Sequence, residues 1–578
     1  MLGWLFKSGG QPDPAPARAA RAIEHHRAGR LVEAEAAYRE VLAAEPGNVD
    51  ALHLLGVVAF QTRRLELAAE LIGRSLALAE GNAAAHSNLG NVRAAQGRLE
   101  EAVRCYGRAL ELQPDLPDAL LNLGNARHAL GQSAEALDLL GKALALKPDF
   151  AEAHSDLGGM LRDLGRPEES AASCRAAIAL RPDFAGAHSN LGNVLEDAGR
   201  TEEAIACYRR AVALNPSFAT ARANLGNALM SVGEVREAGE QLREALRLDP
   251  ALARARFALA NLALLQGDYA AGLPLYEARF DMQALSPMYA GLRGRIAALR
   301  GTPQWRGEEA AGKTLLVWTE QGLGDSLMLL RYLSLLKQRG FARVIVYCDR
   351  ELVRIVQGIV QVDEVLSRET PPPLERVDLH CPVMSLPLAF GTRLETVPRQ
   401  VPYVFAPDAL QRAWAQRLPA GPAARIGLVW SGGWRYPRNA QRSVRFAQFA
   451  PLLEIDGIRY VSLQQGEAAA QLAASGAAVA DWMGECGDLI DTAALMSQLD
   501  LVITVDTAMA HLAGALGKPV WMLNRFESEW RWLLAREDAP WYPTMRIFRQ
   551  PAPGRWDVVV ARVAEELRGF VAARGRHG

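Results

Sequence analysis

The sequence predicts a solenoid of paired α-helices followed by two parallel α/β halves. Three observations carry that expectation. A block of residues returns every 34 positions through the front of the chain. After residue 280 that period stops, and strand-like apolar runs begin to alternate with helical ones. The alternation occurs twice, split by a loop-forming stretch between Pro402 and Pro422. At 578 residues the chain is too long for one core, so several domains are expected.

The repeats come first. Asn88-Leu89-Gly90-Asn91 returns as Asn122-Leu123-Gly124-Asn125, Asn190-Leu191-Gly192-Asn193 and Asn224-Leu225-Gly226-Asn227, with Asp156-Leu157-Gly158-Gly159 filling the gap. Gly97, Gly131, Gly165, Gly199, Gly233 and Gly267 keep the same step, as do Pro114, Pro148, Pro182, Pro216 and Pro250. Small residues let two helices approach closely, glycine turns the chain between them, and proline starts the next pair. This is the tetratricopeptide pattern, and it predicts about eight units over residues 16–280. One unit cannot bury its own apolar face, so the units stack and leave a groove.

Asn88, Asn122, Asn190 and Asn224 stand at one position of successive repeats. One reading is that they solvate a helix face. The other is a ladder of amides gripping an extended peptide, since a side-chain amide both donates and accepts. The second reading resembles the asparagine ladder of the eukaryotic O-linked N-acetylglucosamine transferase. Asp156 interrupts the row and disfavours an acidic segment there.

Composition bounds the function. Formal net charge is −1, which implies no general attraction to nucleic acid or anionic membrane. No run of eighteen apolar residues suggests a membrane span, and the start has no cleavage pattern. The six cysteines form no CxxC pair and no zinc spacing, so no metal is expected and a reducing cytoplasm fits best. Lysine is scarce beside arginine, so arginine is the expected phosphate partner.

Residues 281–312 read as a linker. The first α/β half is expected over 313–405, with strands at Lys313 to Trp318, Arg343 to Cys348 and Val362 to Leu366, and helices at Asp325 to Arg339 and Glu351 to Ile359. The second is expected over 423–574, with strands at Ile426 to Trp430, Tyr460 to Leu463, Leu501 to Val505 and Val520 to Leu523, and a closing helix near Val558 to Ala573. Ligands of such sheets bind beyond the carboxyl ends of the strands.

Several motifs fall at such ends. Leu501 to Val505 feeds the turn Asp506-Thr507-Ala508, a helix carrying His511, and the stop Gly517-Lys518-Pro519. Asp506 and Thr507 can cap the helix, whose free N–H groups and dipole favour an anion. His511 is either a core histidine or a ligand contact. Gly322-Leu323-Gly324-Asp325-Ser326-Leu327 also follows a strand and opens a helix. Leu327 stands where a dinucleotide fingerprint needs a third glycine, although Asp349 could bind a ribose. Asp325 is either a helix cap or a general base. Trp430-Ser431-Gly432-Gly433-Trp434 precedes Arg435, Arg438, Arg442 and Arg445, which read as an exposed basic loop or a phosphate clamp. Gln464 and Gln465 could contact a base or ribose. Trp530, Trp532 and Trp541 are packing residues or sugar platforms. Gly307 to Thr314 matches a P-loop in letters only, because its lysine leads into a strand rather than a helix.

Residues from about Trp305 to Gln550 resemble the glycosyltransferase family that includes the bacterial lipopolysaccharide heptosyltransferases. Gly324-Asp325 and Asp506-Thr507-Ala508…His511-Leu512-Ala513 with Gly517-Lys518-Pro519 carry the likeness. The resemblance implies a GT-B fold of two Rossmann-like domains and metal-independent, inverting transfer from a nucleotide sugar, with no cofactor. It implies Asp325 as catalytic base, Gly322 and Gly324 on the acceptor loop, and Asp506, Thr507 and Ala508 as the donor phosphate turn. Where heptosyltransferases often have lysine, arginines such as Arg438 and Arg442 stand here. The repeats are a departure from that family. The whole chain is similar to bacterial tetratricopeptide–glycosyltransferase fusions, some of which modify flagellins.

The expectation is a cytoplasmic glycosyltransferase acting on a serine or threonine of a polypeptide held by the repeats, flagellin among the candidates. Two alternatives are a lipopolysaccharide or other glycan acceptor, and a non-catalytic scaffold with a decayed transferase domain.

Overall fold

The computed structural model describes residues 15–284, 299, 301–372, 374–418, 421, 423–433 and 439–574. Among them, sixteen helices pair into hairpins from Ala15–Arg27 to Tyr269–Tyr276. Parallel sheets follow, so an α-solenoid precedes an α/β domain, as the periodicities predict. The chain forms two compact units, Met1–Ala221 and Arg222–Gly578.

In the first unit the local chemistry sets the hairpins. Asn48 and Asn82 cap their helices, each side chain accepting from a backbone N–H at 3.0 Å. The turn between paired helices needs a left-handed residue, and Gly97 supplies it at φ 75°. Arg63 holds the same conformation one repeat earlier, at φ 62°, without glycine's freedom. Between paired helices, a Cβ on Gly90 would meet the Tyr106 ring at 2.5 Å, so only glycine admits that tyrosine. The Tyr106 hydroxyl then donates to Asn91 at 2.8 Å.

The second unit holds the last repeats and both sheets. The first sheet has strands β1 (Thr314–Trp318), β2 (Arg343–Cys348), β3 (Glu364–Ser367) and β4 (Leu379–Pro382), in the order β3-β2-β1-β4. The second has β5 (Ala424–Val429), β6 (Ile458–Ser462), β7 (Val479–Asp481), β8 (Leu501–Val505), β9 (Val520–Asn524) and β10 (Met545–Arg549), in the order β10-β9-β8-β5-β6-β7. Every pairing is parallel. β4, β7 and β10 are absent from the sequence reading. The helix expected over Asp325 to Arg339 begins at Leu323, and its α-helical turns are broken by short 3-10 stretches at Leu330–Tyr332 and Lys337–Arg339.

The last repeat shares its hydrophobic core with both sheets. Tyr269, Tyr276, Trp530 and Trp541 are buried together, and Trp541 Nε1 donates to the Tyr269 hydroxyl at 3.1 Å. This is why the compact division falls inside the Ala219–Ser231 helix rather than at residue 280. The Arg279 side chain, fully buried, donates to Glu320 at 2.8 and 2.9 Å, to Glu277 at 2.5 Å and to Ser385 at 2.7 Å. Arg331 joins the two halves: it donates to the carbonyls of Met328 and Pro398 at 2.7 Å and of Trp541 at 2.5 Å. Among the described residues no helix is long and apolar enough to cross a membrane.

Candidate functional site

The turn after β8 is built as the residue types dictate. All five strand residues are buried, and Thr507 is the cap of the Ala508–Ala515 helix, its side chain accepting from Met509 N–H at 3.2 Å. Asp506 is not the cap. It lies just before it, buried. Burial and the neighbouring Glu529 carboxylate push its pKa up to about 6, while Arg442 and Arg531 act the other way. Asp506 is therefore a weaker acid than a solvated aspartate, with Arg442 and Arg531 close enough to offset its charge.

The loop after β1 lies against that helix. Gly322 is the N-cap position of the Leu323–Leu329 helix, and Asp325 sits in its first turn, where the Gly322 N–H also favours its ionised form. A Cβ on Gly324 would stand 2.7 Å from His511 Cδ2 and 3.4 Å from Ala508 Cα. Glycine here lets the loop after β1 touch the helix after β8. Gly324→Ala should therefore cost about 1–3 kcal/mol by overpacking. An unchanged urea midpoint would show that the two helices part freely.

Asp325 pairs with Arg531, whose guanidinium also lies 2.8 Å from Glu529. Burial raises the Asp325 pKa; Arg531 opposes that shift and Glu529 adds to it. The carboxylate is thus a stronger proton acceptor than a solvated one, provided the arginine keeps it ionised.

The remaining candidates divide. The Arg442 side chain rests on Gly432, where a Cβ would meet its Nε at 2.6 Å, so the basic group and the glycine turn do meet. Arg438 lies outside the described residues, and a Cβ on Gly433 would meet open space. Gln464 does not face a ligand: it accepts from Trp430 and Ser431 N–H at 3.0 and 2.8 Å and donates to the Ser431 and Gln465 carbonyls at 3.1 and 2.9 Å. Its amide braces the loop after β5. Gln465 is exposed. His511 is buried, with Nδ1 3.0 Å from the Tyr542 hydroxyl, and burial together with nearby arginines holds its pKa well below the ordinary value, so it stays neutral. Asp349 is tied to Arg368 at 2.6 Å and accepts from Thr319 at 2.9 Å, which removes it as a ribose ligand. Trp530, Trp532 and Trp541 are buried packing residues. Among the described residues no group of three or more His, Cys, Asp or Glu is placed to hold a metal.

The asparagines of the row also bond to the neighbouring repeat. Asn88 Nδ2 lies 2.9 Å from His53 Nε2, Asn122 donates to Asn91 at 3.0 Å, and Asn190 donates to Ser155 Oγ at 3.1 Å. Asp156 accepts from Asn125 at 2.7 Å. These amides stitch neighbouring repeats through their N–H groups. Asn224, in the second unit, is buried and accepts from Arg254 at 3.3 Å.

Arg531, Glu529 and Tyr276 are missing from the sequence reading. The signal was an arginine between Trp530 and Trp532, which reads as packing until its partner is known.

Residues 462–549, from the end of β6 through β10, match glycosyltransferase family 9 (heptosyltransferase). Tetratricopeptide repeat families match residues 25–92, 90–131, 124–161, 197–233 and 223–284. The chain carries tetratricopeptide repeats and a glycosyltransferase family 9 domain. The family 9 match takes in Gln464, Asp506, Thr507, His511 and Arg531. The chain is 31% identical over 339 residues to Protein FlbA of Caulobacter vibrioides, covering 54% of this chain and 54% of that protein. It thus spans about half the length of that curated relative. Among solved structures, a tetratricopeptide repeat protein from Parabacteroides merdae is 18% identical, covering 42% of this chain and 97% of that one, with a TM-score of 0.38. YrrB, a TPR protein with an unusual peptide-binding site, is 25% identical, covering 33% and 98%, with a TM-score of 0.26.

Proposed function

We propose that this chain is an inverting glycosyltransferase that moves a sugar from a nucleotide-activated donor to a serine or threonine of a polypeptide bound by the repeats. The observation that supports it most is the contact of Gly324 with His511 and Ala508, which sets the Asp325 loop beside the phosphate-type turn. In this reading Asp325 takes the acceptor hydroxyl proton as that oxygen attacks the anomeric carbon. The departing phosphate is met by the amide of Ala508 at the helix start and by Arg442, preorganised donors that need no rearrangement as charge develops. The family 9 domain and its Asp506-Thr507-Ala508 turn support the donor class. The repeats support a polypeptide acceptor. Their asparagines offer it carbonyl oxygens: Oδ1 of Asn88, Asn122 and Asn190 accepts no hydrogen bond among the described residues.

The test is a strain lacking the chain, compared with one re-supplied with it. Whole-protein mass spectrometry should show one or more proteins lighter by whole sugar units in the deletion, with flagellin the first to examine. A sugar missing from lipopolysaccharide instead, with all proteins unchanged, would move the acceptor to a glycan. No change in either, with no binding of UDP, ADP, GDP or CMP sugars, would leave a scaffold.

A further inference from the structure

The loop after β9 brings Arg531 against Asp325 in the loop after β1. The arginine is 6% exposed, and its guanidinium lies 4.7 Å from the centre of the Trp530 ring. It pairs with Asp325 from the first half and, at 2.8 Å, with Glu529 from the second. Among the described residues its Nε finds no hydrogen-bond partner. A guanidinium so far out of water is stable only where carboxylates match it. Two do, and one of them is the candidate base.

We propose that Arg531 is a positioning residue: it holds the Asp325 carboxylate in place as a proton acceptor, and Glu529 keeps Arg531 paired after Asp325 has taken the proton. The proposal rests on the assignment of Asp325 as base. The bond between acceptor oxygen and anomeric carbon forms as the bond from that carbon to the phosphate oxygen breaks, its electron pair leaving with the phosphate. The hydroxyl proton passes to Asp325. The acid so formed no longer balances Arg531, but Glu529 still does, so transfer strands no buried charge.

The charged and titratable groups around Asp325 come from three elements. Arg531 and Glu529 lie on the loop after β9, Tyr276 on the last repeat, and His511 on the helix after β8; Asp506 and Arg442 act on the same cluster. Burial and Glu529 favour the protonated acid, and Arg531 opposes them. His511 is held neutral, and the Tyr276 phenol is held protonated by burial. Without Arg531 the balance moves toward an acid that cannot accept a proton.

The titration itself needs no knowledge of the donor. In the full chain with carboxyl-labelled aspartate, the Asp325 carbon signal is assigned by its loss in Asp325→Asn and followed against pH. Arg531→Gln should raise its titration midpoint by at least one pH unit, a tenfold change in proton affinity, and Arg531→Lys should raise it less. Binding of UDP and ADP should stay within about threefold of the parent. A midpoint unchanged in Arg531→Gln overturns the proposal, as does lost nucleotide binding with the midpoint in place. Should that variant fail to fold, Glu529→Gln gives the opposite sign: the Asp325 midpoint falls. A shifted midpoint beside full transfer by Asp325→Asn would sink the base assignment and leave the pairing.

Discussion

Asp325→Asn should lose sugar transfer by about 10²–10⁴-fold, the usual contribution of a positioned general base. The amide keeps the shape of the carboxylate but cannot take a proton. Its removal leaves Arg531 paired with Glu529 at 2.8 Å, so the site should not collapse. In the proposed function, nucleotide binding is assigned to the turn after β8, away from Asp325. UDP and ADP titrated into the variant should therefore bind nearly as they do to the parent. Initial rates with a labelled donor, beside calorimetric titration of the two nucleotides, separate the effects. A variant that transfers at the parental rate would remove Asp325 from the chemistry. One that loses nucleotide binding as well would make it structural.

The second large effect is on stability. Arg279→Ala should cost about 3–5 kcal/mol, because it leaves the Glu320 carboxylate without its cation inside the protein. Both side chains are fully buried, and Glu320 also accepts from the Met384 N–H at 3.2 Å. Replacing both, as Arg279→Met with Glu320→Leu, should recover much of the loss, since a buried pair repays little more than its own desolvation. Urea unfolding of parent, single and double variants closes the cycle. A single-variant cost near that of a surface ion pair, below about 1 kcal/mol, would mean that the junction is wetter than its geometry indicates. Glu320 is two residues from Gly322, so the same substitution should also loosen the loop that carries Asp325.

What could be read in advance divides along a physical line. The repeats were legible because close helix packing imposes small residues at a strict interval; Gly90 against Tyr106 shows the constraint. β8 was legible at Leu501–Val505 because a strand covered on both faces is a continuous apolar run. β4, β7 and β10 were not, and all three are edge strands. An edge is covered less completely, so its residues are mixed: Pro382 closes β4 and Arg546 interrupts β10. In the candidate site, the strand–helix turns at Asp325 and Asp506 were legible from local pattern. Arg531 was not, because its role comes from a carboxylate far away in the chain. Nor was the use of Gln464, whose amide looks the same in sequence whether it faces a ligand or its own backbone.

The burial of Tyr269, Tyr276 and Arg279 against the sheets has a practical corollary for protein engineering. The helices from Arg222 onward belong to the same compact unit as the family 9 domain. A chimaera that exchanges the repeats for another array should be joined ahead of Arg222. A joint near residue 281 would separate Arg279 from Glu320 and strip two tyrosines from Trp530 and Trp541. The exchangeable cassette is therefore shorter than the repeat array itself.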